Sequence, residues 1–158
     1  MNRLSPQNRF KLSPQPPVNS SLSVYAVGTA YQFTNTAALL DFGTTDPSLT
    51  LSEPGTYLLI GTVRVDYNAA TFAAVRDVIL KLRRTNNTAA DITNATTTFK
   101  TEIITTLTFT AFDGQLPPVI YTTTRNNDII QLFGSIDTVP TAGSLDAVEA
   151  SILAIKIS

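Results

Sequence analysis

Carboxylates carry most of the chemistry this sequence offers. It has no Cys and no His, which removes thiolate nucleophiles, a Ser-His-Asp triad, zinc sites built on His or Cys, and any disulfide framework. Two carboxylates can still share acid–base work or hold calcium. The groups available are Asp41, Asp46, Asp66, Asp77, Glu102 and Asp128. Their spacing brings no two of them together. Calcium could sit at Asp41 with Asp46, or at Asp128, but the D-x-D-x-D-G spacing of a dedicated calcium loop is absent. Most of these acids read as turn residues or as the wet side of strands. The expectation is a protein with no catalytic residues, no metal and no cofactor.

The elements that would position such groups are strands. Charged residues make up 15% of the chain, against roughly 25% in ordinary domains. Thr fills the gap with 25 of the 158 residues, a β-branched side chain suited to a pleated surface. Runs bounded by turn signals predict strands over about 25–34, 37–41, 48–52, 56–67, 75–85, 99–112, 119–124, 128–136 and 147–157. The Ala-rich stretch 69–75 alone suggests a helical turn. Asp113-Gly114 and Thr141-Ala-Gly143 read as turns. Many short strands without helices between them predict an all-β, two-sheet sandwich or jelly roll. The net charge of -1 argues against a general grip on nucleic acid or on an anionic membrane.

Alternation sorts the strands further. Val78, Leu80 and Leu82 alternate with Asp77, Lys81 and Arg83, a strand with one wet face. Tyr57-Leu-Leu-Ile60, Ile129-Ile-Gln-Leu-Phe133 and Ser151-Ile-Leu-Ala-Ile155 are apolar on both faces. One face of a sandwich strand meets the opposite sheet and the other meets water. A second apolar face needs another cover, and a further copy of the chain is the expected one. A long loop folded over the sheet is the alternative.

Residues 1–24 differ from the rest. They hold Arg3, Arg9 and Lys11 with no acid, a net +3, whereas the remaining chain carries 8 basic and 12 acidic residues. Four prolines, Pro6, Pro14, Pro16 and Pro17, favour an extended path. Arg3-Leu-Ser-Pro-Gln7 recurs as Lys11-Leu-Ser-Pro-Gln15, two copies about 25 Å apart if extended. The segment is either a low-complexity linker or a pair of equivalent anchors. The anchor reading assigns docking to Arg3, Leu4, Arg9, Phe10, Lys11 and Leu12. The sequons at Asn19, Asn86 and Asn94 are what chance supplies in a chain rich in Asn, Ser and Thr.

Several segments together resemble a known superfamily. Glu53-Pro-Gly-Thr-Tyr57 followed by Leu-Leu-Ile-Gly-Thr-Val63 resembles the "P-x-G-x-Y then strand" signature of the tumour necrosis factor and complement globular-head proteins. Val78-Ile-Leu-Lys-Leu-Arg83 is similar to the next strand of that pattern. Thr124-Arg-Asn-Asn-Asp-Ile-Ile-Gln-Leu132 is similar to its turn-G-D-x-V-x-L segment, with Asn127 in place of Gly. Ala150–Ile157 resembles the closing strand without its Gly-aromatic pair. The resemblance spans about 25–158 and implies a jelly roll that packs as a homotrimer. The expected interface is Tyr57, Leu59, Tyr121, Ile130, Leu132, Leu153 and Ile155.

The stalk, coiled coil, signal peptide and membrane anchor usual in that superfamily are not found in the sequence. A head on a basic, Pro-rich arm looks instead like a virion component, a bacteriophage capsid decoration or head-fibre protein at the capsid surface, whose arm, residues 1–24, binds the major capsid protein or another virion protein. The alternative is a host-receptor or glycan-binding tip using loops 85–98 and 113–118. Tyr25, Tyr31, Tyr57, Tyr67 and Tyr121 all fall in or beside predicted strands, so no aromatic platform for a sugar stands out.

Overall fold

The computed structural model describes residues 20–101 and 111–158. Ten strands appear in the order β1 (Ser21–Gln32), β2 (Ala38–Leu39), β3 (Ser48–Leu51), β4 (Gly55–Thr71), β5 (Asp77–Arg84), β6 (Ala90–Lys100), β7 (Ala111–Gln115), β8 (Val119–Thr123), β9 (Asp128–Ile136) and β10 (Ala142–Lys156). They form two five-stranded antiparallel sheets. One runs β1-β10-β4-β7 with β8 also on β4, and the other runs β2-β9-β5-β6 with β3 also on β9. The chain alternates between sheets as it proceeds, and its first and last long strands lie side by side. This is the jelly-roll sandwich that the strand pattern predicts.

The core lies between the sheets. Leu59, Val63 and Val65 of β4 and Ile152 and Ala154 of β10 face Leu80 and Leu82 of β5 and Ile130 and Leu132 of β9, all buried. Leu51 of β3 and, from the connecting segments, Phe33, Leu40, Phe42 and Phe72 close the sandwich. Thr residues do on the surface what the composition suggests. Thr56 pairs with Thr122 at 3.3 Å, Thr62 with Ser151 at 2.7 Å and Thr71 with Thr141 at 3.0 Å, hydroxyl pairs joining neighbouring strands without charge.

Local turn chemistry accounts for the strand ends. The Tyr57 hydroxyl donates to the Glu53 carbonyl at 2.7 Å and closes the Glu53-Pro-Gly turn. Asn127 takes the left-handed conformation, φ 60°, so Asn meets there the demand usually met by Gly. Asn86 is held by the same turn: its side-chain amide donates to the Asn127 carbonyl, and the Ile129 amide donates to Asn86 Oδ1.

The structure departs from the sequence expectations at several places. Residues 21–24, assigned to the arm, pair with β10 from Ser21 opposite Ile155 to Val24 opposite Ile152. The stretch 69–75 is no helical turn; β4 continues to Thr71, with Ala69 at φ 52° where Ser144 of β10 faces two residues. Asp113-Gly114 lies inside β7, opposite Arg64 and Val63, and Ala142-Gly143 opens β10. Most of the expected loop 85–98 is strand β6, because its Thr and Ile run pairs with β5. The expected strand 99–112 divides: 99–100 end β6, 111–112 open β7, and 102–110, with Glu102, lie outside the described residues.

Candidate assembly face

Register determines which side chains share the outer face of the β1-β10-β4-β7 sheet. Across it, Ile120 of β8, Leu58 of β4 and Ile155 of β10 stand in one row. Ile60 and Leu153 form the next row. Ile120 is 59% exposed, and the other four are half-buried. Beyond this apolar band come Thr62, Ser151, Tyr25 and Gln115, then Arg64, Glu149, Val27 and Asp113. The face therefore grades from apolar at one end to charged at the other.

The outer face of the second sheet also carries half-buried apolar groups, Ile79, Ile129 and Phe133, and a polar side chain covers Phe133. The Arg83 guanidinium lies 5.4 Å from the centre of the Phe133 ring, a cation–π contact that screens it from water. Gln131 donates to Ser48 Oγ at 3.2 Å, and Lys81 reaches Asp91 at 2.8 Å over the same surface. Among the described residues, no long charged side chain is paired across the Ile120–Leu58–Ile155 row. Among the described residues the two outer faces are unequal: the first carries the more exposed apolar side chain, Ile120, and the second has a cation over its aromatic ring.

The chain enters the sandwich beside this band. The Lys156 amide donates to the Ser20 carbonyl at 2.9 Å, and Ser21 stands opposite Ile155. Lys156 also binds Glu53 at 2.7 Å, which raises the lysine and holds the Glu53 carboxyl below its usual value. The Thr56 amide donates to the Ser158 carbonyl at 2.8 Å. The end of the sandwich from which residues 1–19 lead is thus tied down by the last strand.

The expected interface residues divide between faces. Leu153 and Ile155 lie in the band. Tyr57, Leu59, Ile130 and Leu132 point into the core between the sheets, where they are buried within the chain itself. A period of two reverses faces at every residue, so the exposed members are the neighbours Leu58 and Ile60. Ile120 was missed, although the exposed position next to Tyr121 follows from the same alternation. Arg3, Leu4, Arg9, Phe10, Lys11 and Leu12 lie outside the described residues.

Tyr121 belongs to a buried polar network. Asp128 is fully buried and accepts from Thr123 Oγ1 at 2.6 Å, the Tyr121 hydroxyl at 2.7 Å and Asn87 Nδ2 at 3.4 Å. Burial pushes the Asp128 carboxyl up, but these donors and nearby Arg84 outweigh it and hold it below the usual carboxylate range. With every donor directed at one carboxylate, the network ties the β8–β9 turn to β5. Its position gives Asp128 a structural role.

Asp41 and Asp46 are brought together, as their spacing alone did not require. Loss of water and then the adjacent Asp41 carboxylate raise the Asp46 carboxyl above its usual value. Asp41 Oδ1 also accepts from the Gly43 amide at 2.7 Å. Among the described residues, no three metal-ligating side chains converge, and no helix is long and apolar enough to cross a membrane.

No protein-family model matches this sequence, and no curated protein matches it. Solved structures do resemble the fold. A chain of the T13 particle of infectious bursal disease virus superposes with a TM-score of 0.54 at 10% identity, over 92% of this chain and 35% of that one. The globular domain of zebrafish complement 1qA gives 0.51 at 12% identity, over 89% of this chain and 98% of that domain. The Gx strain of infectious bursal disease virus gives 0.51 at 11% identity, over the whole of this chain and 38% of that one. This chain spans about a third of the viral chains it resembles. At such identities the likeness is one of fold: a jelly roll shared by a viral particle chain and a complement head domain.

Proposed function

We propose that this chain is a structural virion protein, a homotrimeric decoration or head-fibre protein of a bacteriophage capsid. One observation carries the reading: the outer face of the β1-β10-β4-β7 sheet holds an apolar band, Leu58, Ile60, Ile120, Leu153 and Ile155, across which no ion pair is formed among the described residues. Covering such a band with a second copy is the ordinary way to remove it from water. Because the chain enters the sandwich next to Ile155, the arms of associated copies would leave from one end together. They would present Arg3, Leu4, Arg9, Phe10, Lys11 and Leu12 of each copy to the major capsid protein or another virion protein. Jelly rolls in viral particles support the role by fold.

Mass measurement in solution tests the assembly. The expected value is three times 17.0 kDa; a monomer at micromolar concentration would sink the trimer. Deleting residues 1–17 should abolish attachment to shells while leaving the trimer folded. If the truncated protein still decorates shells fully, the arm is only a linker.

A further inference from the structure

The charged end of the same face contains a depression of about 300 Å³ lined by Tyr25, Thr62, Arg64, Asp113 and Glu149. Tyr25 is 58% exposed, a large aromatic surface to leave in water. The strand register puts Tyr25 opposite Ser151 on β10, and Ser151 opposite Thr62 on β4. Arg64 stands between Glu149 on one neighbouring strand and Asp113 on the other. The two carboxylates are therefore two strand spacings apart, about 10 Å at the backbone.

We propose that this depression binds a pyranose unit that carries no acidic group. The three kinds of contact such a ring needs are present. Tyr25 offers an aromatic face for the C–H face of the sugar. Asp113 and Glu149 accept from hydroxyls, and Arg64 and Thr62 donate. Specificity follows from charge. Arg64 lies 3.8 Å from Asp66 Oδ1, so its charge is shared, and the acids outnumber the base. A carboxylate-bearing sugar such as sialic acid would meet Asp113 and Glu149 directly and be repelled. The proposal goes beyond the structural role and does not depend on trimer formation.

Saturation-transfer NMR on the full chain tests it, with the methyl glycosides of glucose, galactose, mannose and N-acetylglucosamine, and with methyl sialoside. At least one neutral glycoside should bind, with transfer strongest at ring protons on one face, and sialoside should not. Tyr25→Ala should weaken that binding about tenfold, and Tyr25→Phe should retain it. Asp113→Asn, exposed and outside the core, should also weaken it and serves if Tyr25→Ala misfolds. The inference is overturned if no neutral glycoside binds at tens of millimolar, if sialoside binds as well, or if both Tyr25→Ala and Asp113→Asn bind like the wild type. Binding confined to Leu58→Arg, with none in the wild type, would also overturn it, since the face would then be covered by another copy. The mass of the same samples reports assembly separately: a monomer that binds sugar defeats only the trimer, and a trimer that binds none defeats only this site.

Discussion

At the residue scale, the most informative side chain is Asp128. Three donors converge on it in a fully buried setting, so it contributes only while ionised. Its folded-state value lies below the unfolded one, which means the native state binds fewer protons. Its stabilisation is therefore complete above about pH 4 and is lost as pH falls through the depressed folded value. Asp128→Asn should cost about 2 kcal/mol at pH 7, and the gap to the wild type should close toward pH 2. Urea unfolding across pH 2 to 7 measures this; a gap that stays constant down to pH 2 would show that the charge is irrelevant. Sequence marks Asp128 as a turn acid before a strand. It gives no sign that Tyr121, Thr123 and Asn87, from two other places in the chain, would all reach it.

At the element scale, β4 and β9 show how tightly the two sheets are matched. Gly134 of β9 has no room for a methyl group: an added Cβ would stand 2.5 Å from Phe33 and 2.9 Å from Leu40. Gly134→Ala should therefore destabilise by about 1–3 kcal/mol through overpacking, seen as a lower denaturation midpoint in urea. In β4, neighbours have opposite fates. Leu59→Ala removes core packing and should cost about 2–5 kcal/mol. Leu58→Arg, on the outer face, should change protomer stability by less than about 1 kcal/mol yet abolish association. A Leu58→Arg protein that remains associated would move the contact to another surface. The strand over 56–67 was legible because Leu, Ile and Val alternate around a Pro-Gly turn. Which of its two apolar faces looks inward was not, since both parities are equally apolar until a second sheet covers one. β6 escaped detection because its polar Thr and Asn residues on an edge resemble a loop; only its ladder to β5 makes it a strand.

At the scale of the whole molecule, an associated protein should melt at a temperature that rises with concentration, whereas Leu58→Arg should show no such dependence. Scanning calorimetry over a hundredfold range of concentration checks both. Sequence by itself determined the fold class, the positions of several strands, the charge difference between residues 1–24 and the rest, and the chemistries excluded by a chain without Cys or His. These depend on composition and short-range alternation, which reside in consecutive residues. Only the tertiary structure decided which apolar face remains uncovered, that Arg83 shields Phe133 on the opposite sheet, and that Tyr25, Arg64, Asp113 and Glu149 surround one depression. These follow from strand register and from which sheet lies over which. They join residues up to 124 positions apart, and local patterning does not record such pairings.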